Sequence, residues 1–271
     1  MKSNTWCYHL FIFVLLTVNL TFTFQGDSPM MKNLRIVFVA LFFVAVCFGS
    51  FGFAQEPDKD GFVPLFNGKD LTGWEGNMNI WRVENGCIVG QTEAEGSKSI
   101  DHNTFLILKD KEFENFTLKF EYRLTKGGNS GIQYRSWVMG GGAPYRVAGY
   151  QADFDGDNAY TGILYGENYR GILANRGEIA EIGADHQPKG IGRFATSDAL
   201  KEKIKVEDWN DYEITADGFT FVNKINGQLM SICFDKDEKE RRKTGIIAIQ
   251  AHVGPPMKVE IRNLKIKTID K

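Results

Sequence analysis

Gln151 and Asp153 stand two residues apart. On a β-strand that spacing puts both side chains on one face. A carboxylate there can act as a base, hold hydroxyl groups or contribute to a metal site, and the neighbouring amide can hold hydroxyls. Gln250 and His252 repeat the spacing on a later segment. An imidazole can donate to a leaving group or ligate a metal, so Asp153 and His252 are the two candidates for a divalent ion. Arg135 closes the run Ser130-Gly131-Ile132-Gln133-Tyr134-Arg135, which in a regular strand shares a face with Gln133 and not with Tyr134. Arg170 and Arg176 flank the segment 171–175. Guanidinium groups suit planar hydrogen bonding to keto and hydroxyl oxygens. Glu121 lies on the polar face of its segment with Lys119 and Arg123. It is a candidate acid if that face lines the site, and a solvated surface group if it does not. The stretch Asp153-Phe154-Asp155-Gly156-Asp157 opens like a calcium loop but has Asn158 at the sixth position and Leu164 at the twelfth, which excludes an EF-hand.

The elements that must position these residues are strands. Residues 116–124 alternate apolar and polar without a break, the pattern of an antiparallel strand with one face in a core. Residues 211–215, 220–225, 244–251 and 258–267 read as further strands. Asn226-Gly227 between two of these marks a two-residue hairpin, because both central positions of that turn need positive φ. Ser197-Asp198 starts one short predicted helix running to Lys205. Many short strands separated by turns predict an all-β sandwich or barrel. No repeat, linker or second composition regime appears, so one domain is expected over 55–271.

Residues 1–54 read as a leader. Two apolar runs occur, 10–24 and 34–53. The second has Lys32 and Arg35 ahead of it and Gly52-Phe53-Ala54 behind it, the anatomy of a secretory signal. Met30 and Met31 offer a start just before it, and the first run is otherwise an anchor. Cys47 follows Val46, where a lipoprotein site wants a small residue. Export to the periplasm or beyond is the expectation, with contact to a membrane only through the leader. The chain carries 32 basic and 34 acidic residues, for a net charge of −2. No basic patch fits nucleic acid, and residues 236–243 mix both signs like a solvated loop. Past the leader only Cys87 and Cys233 remain, predicted as two buried thiols rather than a disulfide framework.

Several segments, in order, resemble the 3-keto-disaccharide hydrolase family, formerly a domain of unknown function. They are 61–74, Trp81-Arg82-Val83-Glu84-Asn85-Gly86, 116–123, 129–135, Gly149-Tyr150-Gln151-Ala152-Asp153, Trp209-Asn210, Asn226-Gly227, 245–252 and Ile261-Arg262-Asn263-Leu264. The resemblance implies a concanavalin A-like jelly roll: two antiparallel sheets, with carbohydrate handled on the concave one. It implies binding, and in some members hydrolysis, of glycosides oxidised at the 3-position. Many members carry Glu-x-Gln where this chain reads Gln151-Ala152-Asp153, so the polar pair is kept with its charge moved.

The chemistry so implied sets requirements. A ketone at C3 acidifies the C2 proton, its removal gives an enolate, and the enolate expels the group at C1 before water adds. A base, a partner for the enolate oxygen and an acid for the leaving group are needed, and a divalent ion could serve as electrophile. Asp153, His252 and Glu121 are the candidate catalytic groups. Gln151, Arg135, Gln133, Gln250, Arg170, Arg176 and Tyr165 are the candidate substrate contacts. Tyr165 belongs with Trp137, Tyr145, Tyr150 and Tyr169 to a set of aromatics on which sugar rings can stack, whereas Trp74 and Trp81 are assigned to the core. An oxidoreductase elsewhere must make the keto-sugar, and no nicotinamide-binding glycine motif is present in this chain. The other readings are a non-catalytic carbohydrate-binding module and a retaining glucanase. The last lacks its array of carboxylates on one strand face, since Glu178 and Glu181 are three apart.

Overall fold

The computed structural model describes residues 56–270. The leader reading for 1–54 lies outside them. The first strands are β1 (Val63–Pro64), β2 (Trp74–Glu75), β3 (Trp81–Glu84), β4 (Cys87–Gln91) and β5 (Thr104–Leu108). Next come β6 (Phe116–Leu124), β7 (Asn129–Val138), β8 (Val147–Asp155), β9 (Leu164–Glu167) and β10 (Gly171–Ala174). Strands β11 (Glu178–Ile182) and β12 (Pro188–Arg193) precede the helix α1 (Ser197–Lys201). The chain closes with β13 (Asn210–Asp217), β14 (Thr220–Ile225), β15 (Gln228–Asp235), β16 (Ile246–Ala251) and β17 (Lys258–Thr268).

These strands form two sheets. The large sheet runs β12-β11-β15-β14-β13-β6-β17-β4-β3, with β1 added on β17. The small sheet runs β10-β9-β8-β7-β16-β5-β2. Pairing is antiparallel except between β11 and β15. Along β6 buried and half-buried residues alternate, as the sequence period requires. Its buried residues meet the small sheet across one core: Phe120 and Tyr122 lie 6.2 and 4.2 Å from Phe154, and Phe116 lies 6.0 Å from Tyr134. Each such aromatic contributes about 1.5–3 kcal/mol by leaving water. The molecule is therefore an all-β, two-sheet sandwich. Trp74 and Trp81 are buried in its core. Cys87 and Cys233 are buried free thiols.

The Asn226-Gly227 turn has φ of 50° and 74° and joins β14 to β15, as its dipeptide demands. Helix α1 is shorter than predicted: it begins at Ser197, with Thr196 as the cap accepting from the Ala199 amide, and it ends at Lys201. Residues 236–243 are not a uniformly solvated loop. Asp237 is buried, accepting from His186 Nδ1 at 2.5 Å and pairing with Arg170, and Arg241 donates to the Asp235 carbonyl.

Strands β7 and β8 are buried on both faces. One face meets the core. On the other, here the far face, Phe105, Ile107, Val147 and Ala248 form a second apolar cluster with Tyr145 and Ile246 against it. The Phe105 amide donates to the Tyr145 carbonyl at 3.0 Å, so the end of the β7–β8 hairpin reaches across to β5. A bulge allows this. Register shifts between Tyr134 and Trp137, where Arg135 has φ 44°, opposite Gly149 with φ 138°.

Candidate functional site

The far face of the small sheet carries a run of buried polar side chains. Pairing puts Gln133 opposite Gln151 and Gly131 opposite Asp153, while Ala248 pairs with Gln133. Strand alternation then places Gln133, Gln151, Asp153 and Gln250 on the same face. All four are buried. Their hydrogen bonds form a directed chain. Ser136 Oγ donates to Gln133 Oε1 at 2.8 Å, Gln133 Nε2 to Gln151 Oε1 at 2.6 Å, and Gln151 Nε2 to Asp153 Oδ1 at 2.6 Å. Gln151 Nε2 also reaches Gln250 Oε1 at 3.4 Å. Gln250 Nε2 is buried with no partner among the described residues. An orphaned amide donor in a polar pocket is costly, by about 1–3 kcal/mol, unless a ligand completes it.

Glycine makes the chain possible. A Cβ on Gly131 would stand 2.5 and 2.6 Å from Gln151 Cγ and Cδ. Gln151 thus runs over Gly131 to reach Asp153. Burial pushes the Asp153 carboxyl up to about 8, with the charges of Asp155 and Glu167 adding to the effect and the Gln151 hydrogen bond opposing it. Tyr165 pairs with Gln151 on β9 and is half-buried on the same face. Burial raises its hydroxyl pKa, as do the charges of Glu167 and Asp153. His252 follows the end of β16, half-buried, one alternation beyond Gln250.

Other residues chosen from the sequence lie elsewhere. Arg135 is turned away by the bulge. It donates to the carbonyls of Glu114 and Gly218, both at 2.7 Å, and to Asn115 Oδ1 at 3.1 Å, and it stacks on Phe221. Arg170 pairs with Asp235 and touches Tyr150 and Tyr169 from the core side of the sheet. Arg176 is spent on the loop 158–161, donating to the Thr161 carbonyl at 2.6 Å and to Asn158 Oδ1 at 3.1 Å. Glu121 sits on the outward face of the large sheet, bonded to Arg262 and Asn263. Tyr150 is fully buried in the core, 4.5 Å from Phe221, and offers no stacking surface. Asp155 is occupied by the amides of Ala159, Tyr160 and Thr161, so the calcium-like stretch is a capped turn. Among the described residues no set of three or more His, Cys, Asp or Glu side chains is grouped to hold a metal ion. A cavity of about 770 Å³ opens on the outward face of the large sheet, but its Lys119, Lys224 and Glu213 are already paired with one another.

Sequence reasoning passed over one acid on the far face. Glu167, on β9, is buried and accepts from Asn103 Nδ2 at 3.0 Å and Asn168 Nδ2 at 3.1 Å. Its signal was available: Tyr165 and Glu167 are two apart, so the face of one is the face of the other.

Fold and site together define a sandwich that buries a polar, partly unsatisfied patch on the face opposite its core. The model of the 3-keto-alpha-glucoside-1,2-lyase-like domain matches residues 61–267, and the chain belongs to that family. It is 27% identical over 178 residues to a 3-keto-disaccharide hydrolase of Bacteroides thetaiotaomicron, covering 63% of this chain and 58% of that protein. The chain thus spans little more than half the length of that relative. Among solved structures it is similar to a suspected glycosyl hydrolase from Parabacteroides distasonis, with 20% identity, a TM-score of 0.48, and 78% and 95% of the two chains covered. It is also similar to the carbohydrate binding module CBM66 from Bacillus subtilis, with 13% identity, a TM-score of 0.46, and 72% and 96% covered.

Proposed function

We propose that the far face binds a glycoside oxidised to a ketone at C3 and that Asp153 moves its C2 proton. The observation that carries the reading is a buried carboxyl pushed up to about 8 and held by Gln151, beside the unpartnered Gln250 Nε2. A base whose pKa lies near working pH is strong enough to take a proton next to a ketone and still ionises. The Gln250 donor is suited to the enolate oxygen, where charge develops. Gln133 and Gln151 hold hydroxyls, Tyr165 backs the ring, and His252 contacts the outer part of the substrate. Elimination of the C1 group and hydration of the unsaturated sugar complete a hydrolysis. The leader would carry the protein out of the cytoplasm, and an oxidoreductase acting earlier would supply the ketone.

A binding-only module on this fold would present aromatics and few titratable groups. Two buried carboxyls beside two half-buried tyrosines, Tyr145 and Tyr165, favour the enzyme. Incubating the full-length protein with a 3-keto-glucoside and with its unoxidised parent tests the reading. Release of the C1 group from the keto compound alone is the expected result, with a chelator arm to decide metal dependence. Binding of either compound without cleavage would leave only the module.

A further inference from the structure

Glu167 is held in an unusual way for a buried acid. Both of its hydrogen bonds fall on one oxygen, Oε1, which accepts from Asn103 Nδ2 and Asn168 Nδ2. Each donor is itself fixed. Asn103 Oδ1 accepts from the Val253 amide at 2.9 Å, and Asn168 Nδ2 is shared with the Val147 carbonyl at 3.1 Å. With Oε1 taken up by two donors, a proton on this carboxyl belongs on Oε2, which bonds to no described residue. Asp153 is built alike: Oδ1 accepts from Gln151, and Oδ2 bonds to no described residue. Tyr165 lies within electrostatic reach of both acids, and each acid lies on the far face. The site therefore holds two buried carboxyls, each with one oxygen anchored and one presented.

We infer that Glu167 is a second catalytic carboxyl: the two acids hold one proton between them, and in the reacting form it sits on Glu167 Oε2, which protonates the departing C1 oxygen while Asp153 Oδ2 takes the C2 proton. This rests on the reading of the far face as a keto-glycoside site. In the first step the C2–H pair becomes the C2–C3 enolate bond, then re-forms the ketone as the C1–O bond breaks. The leaving oxygen takes the Glu167 proton and departs as an alcohol. Asp153 is then protonated and Glu167 ionised. In the second step Glu167 accepts a proton from the water that adds at C1, and Asp153 returns its proton to C2. Both carboxyls end as they began. The Asn103 bridge has a purpose in this scheme: it ties the acid to the chain just past His252, where the outer part of the substrate is placed.

The test uses the full-length protein, a 3-keto-glucoside with a nitrophenol leaving group and its methyl counterpart. Nitrophenoxide departs without an acid, whereas methoxide needs one. Glu167→Gln should lower release from the methyl compound on the order of 10²-fold and change nitrophenol release by less than about threefold, the usual range for one general acid. Exchange of the C2 proton in deuterated water should persist in this variant and vanish in Asp153→Asn. Asn103→Ala, which frees the carboxyl without removing it, should give the same leaving-group dependence at smaller amplitude, and it carries the test if Glu167→Gln does not fold. Equal losses on both substrates, or loss of exchange with Glu167→Gln, would overturn the assignment. A wild-type protein that neither cleaves nor exchanges either substrate would instead remove the keto-glycoside reading, and this inference with it.

Discussion

Gln151 Nε2 donates to Asp153 Oδ1 over 2.6 Å, and it does so by crossing directly above Gly131 on the neighbouring strand. The acid, the amide and the absent side chain are one device. Gly131→Ala would put a methyl group within 2.5 Å of Gln151 Cγ. We expect the protein to fold, keto-glycoside cleavage to fall about tenfold or more, and the loss to shrink when Gln151→Ala is already present, as coupled neighbours require. Rates for the two single variants and the double variant check this. An equal loss in both backgrounds would mean that Gly131 acts through something other than Gln151.

The raised Asp153 carboxyl fixes the sign of one pH effect. An unfolded aspartate releases its proton near 3.8, and the folded one near 8. Between those values the folded state holds a proton that the unfolded state has lost, so stability falls as pH rises through the window and levels off above it. Asp153→Asn should remove that component of the slope. Urea midpoints from pH 4 to pH 9 for both proteins measure it, and parallel profiles would contradict the assignment.

Arg170 and Asp235 are paired with side-chain exposures of 9% and 0%. Arg170→Met strands a buried carboxylate, a loss of about 3–5 kcal/mol. Thermal melting should show it, whereas KM for a keto-glycoside measured on the folded protein should hardly change. A KM effect without a stability effect would return Arg170 to the list of substrate contacts.

Tyr134 presents a hydroxyl to the core with no partner among the described residues, and burial raises its pKa. Tyr134→Phe removes an unmet polar group and keeps the ring contacts with Phe116 and Tyr150. The variant should melt at the same temperature as the wild type or up to a few degrees higher, a gain of roughly 1 kcal/mol. A clear drop would point to a bond made by that hydroxyl.

Much of the architecture could be read from the sequence because its signals are local. The alternation of 116–124 and the Asn226-Gly227 turn each name their own structure. The Gln151-Asp153 and Gln250 alignment follows from the same period of two. Arg135 was misread because that period assumes an unbroken strand, and the bulge beside it turns the guanidinium to the core side. Alternation also separates two faces without naming either, which is why Glu121 stayed open between a site face and an outer face until its bonds to Arg262 and Asn263 placed it on the outer one. Arg170 and Arg176 are drawn inward by partners 65 and 15 residues distant, Asp235 and the Thr161 carbonyl, and no spacing rule encodes such pairings.

Cys87 and Cys233 are buried in the large sheet as free thiols, and burial raises the pKa of each. A thiol that is both sheltered and protonated reacts slowly with alkylating reagents. Residues 56–270 therefore owe none of their cohesion to oxidation, and a reducing buffer should neither loosen nor rescue them. The two sulfurs lie on different strands of the large sheet, Cys87 on β4 and Cys233 on β15. Labelled in time, they become two clocks in one molecule, each recording how often its own stretch of sheet comes open.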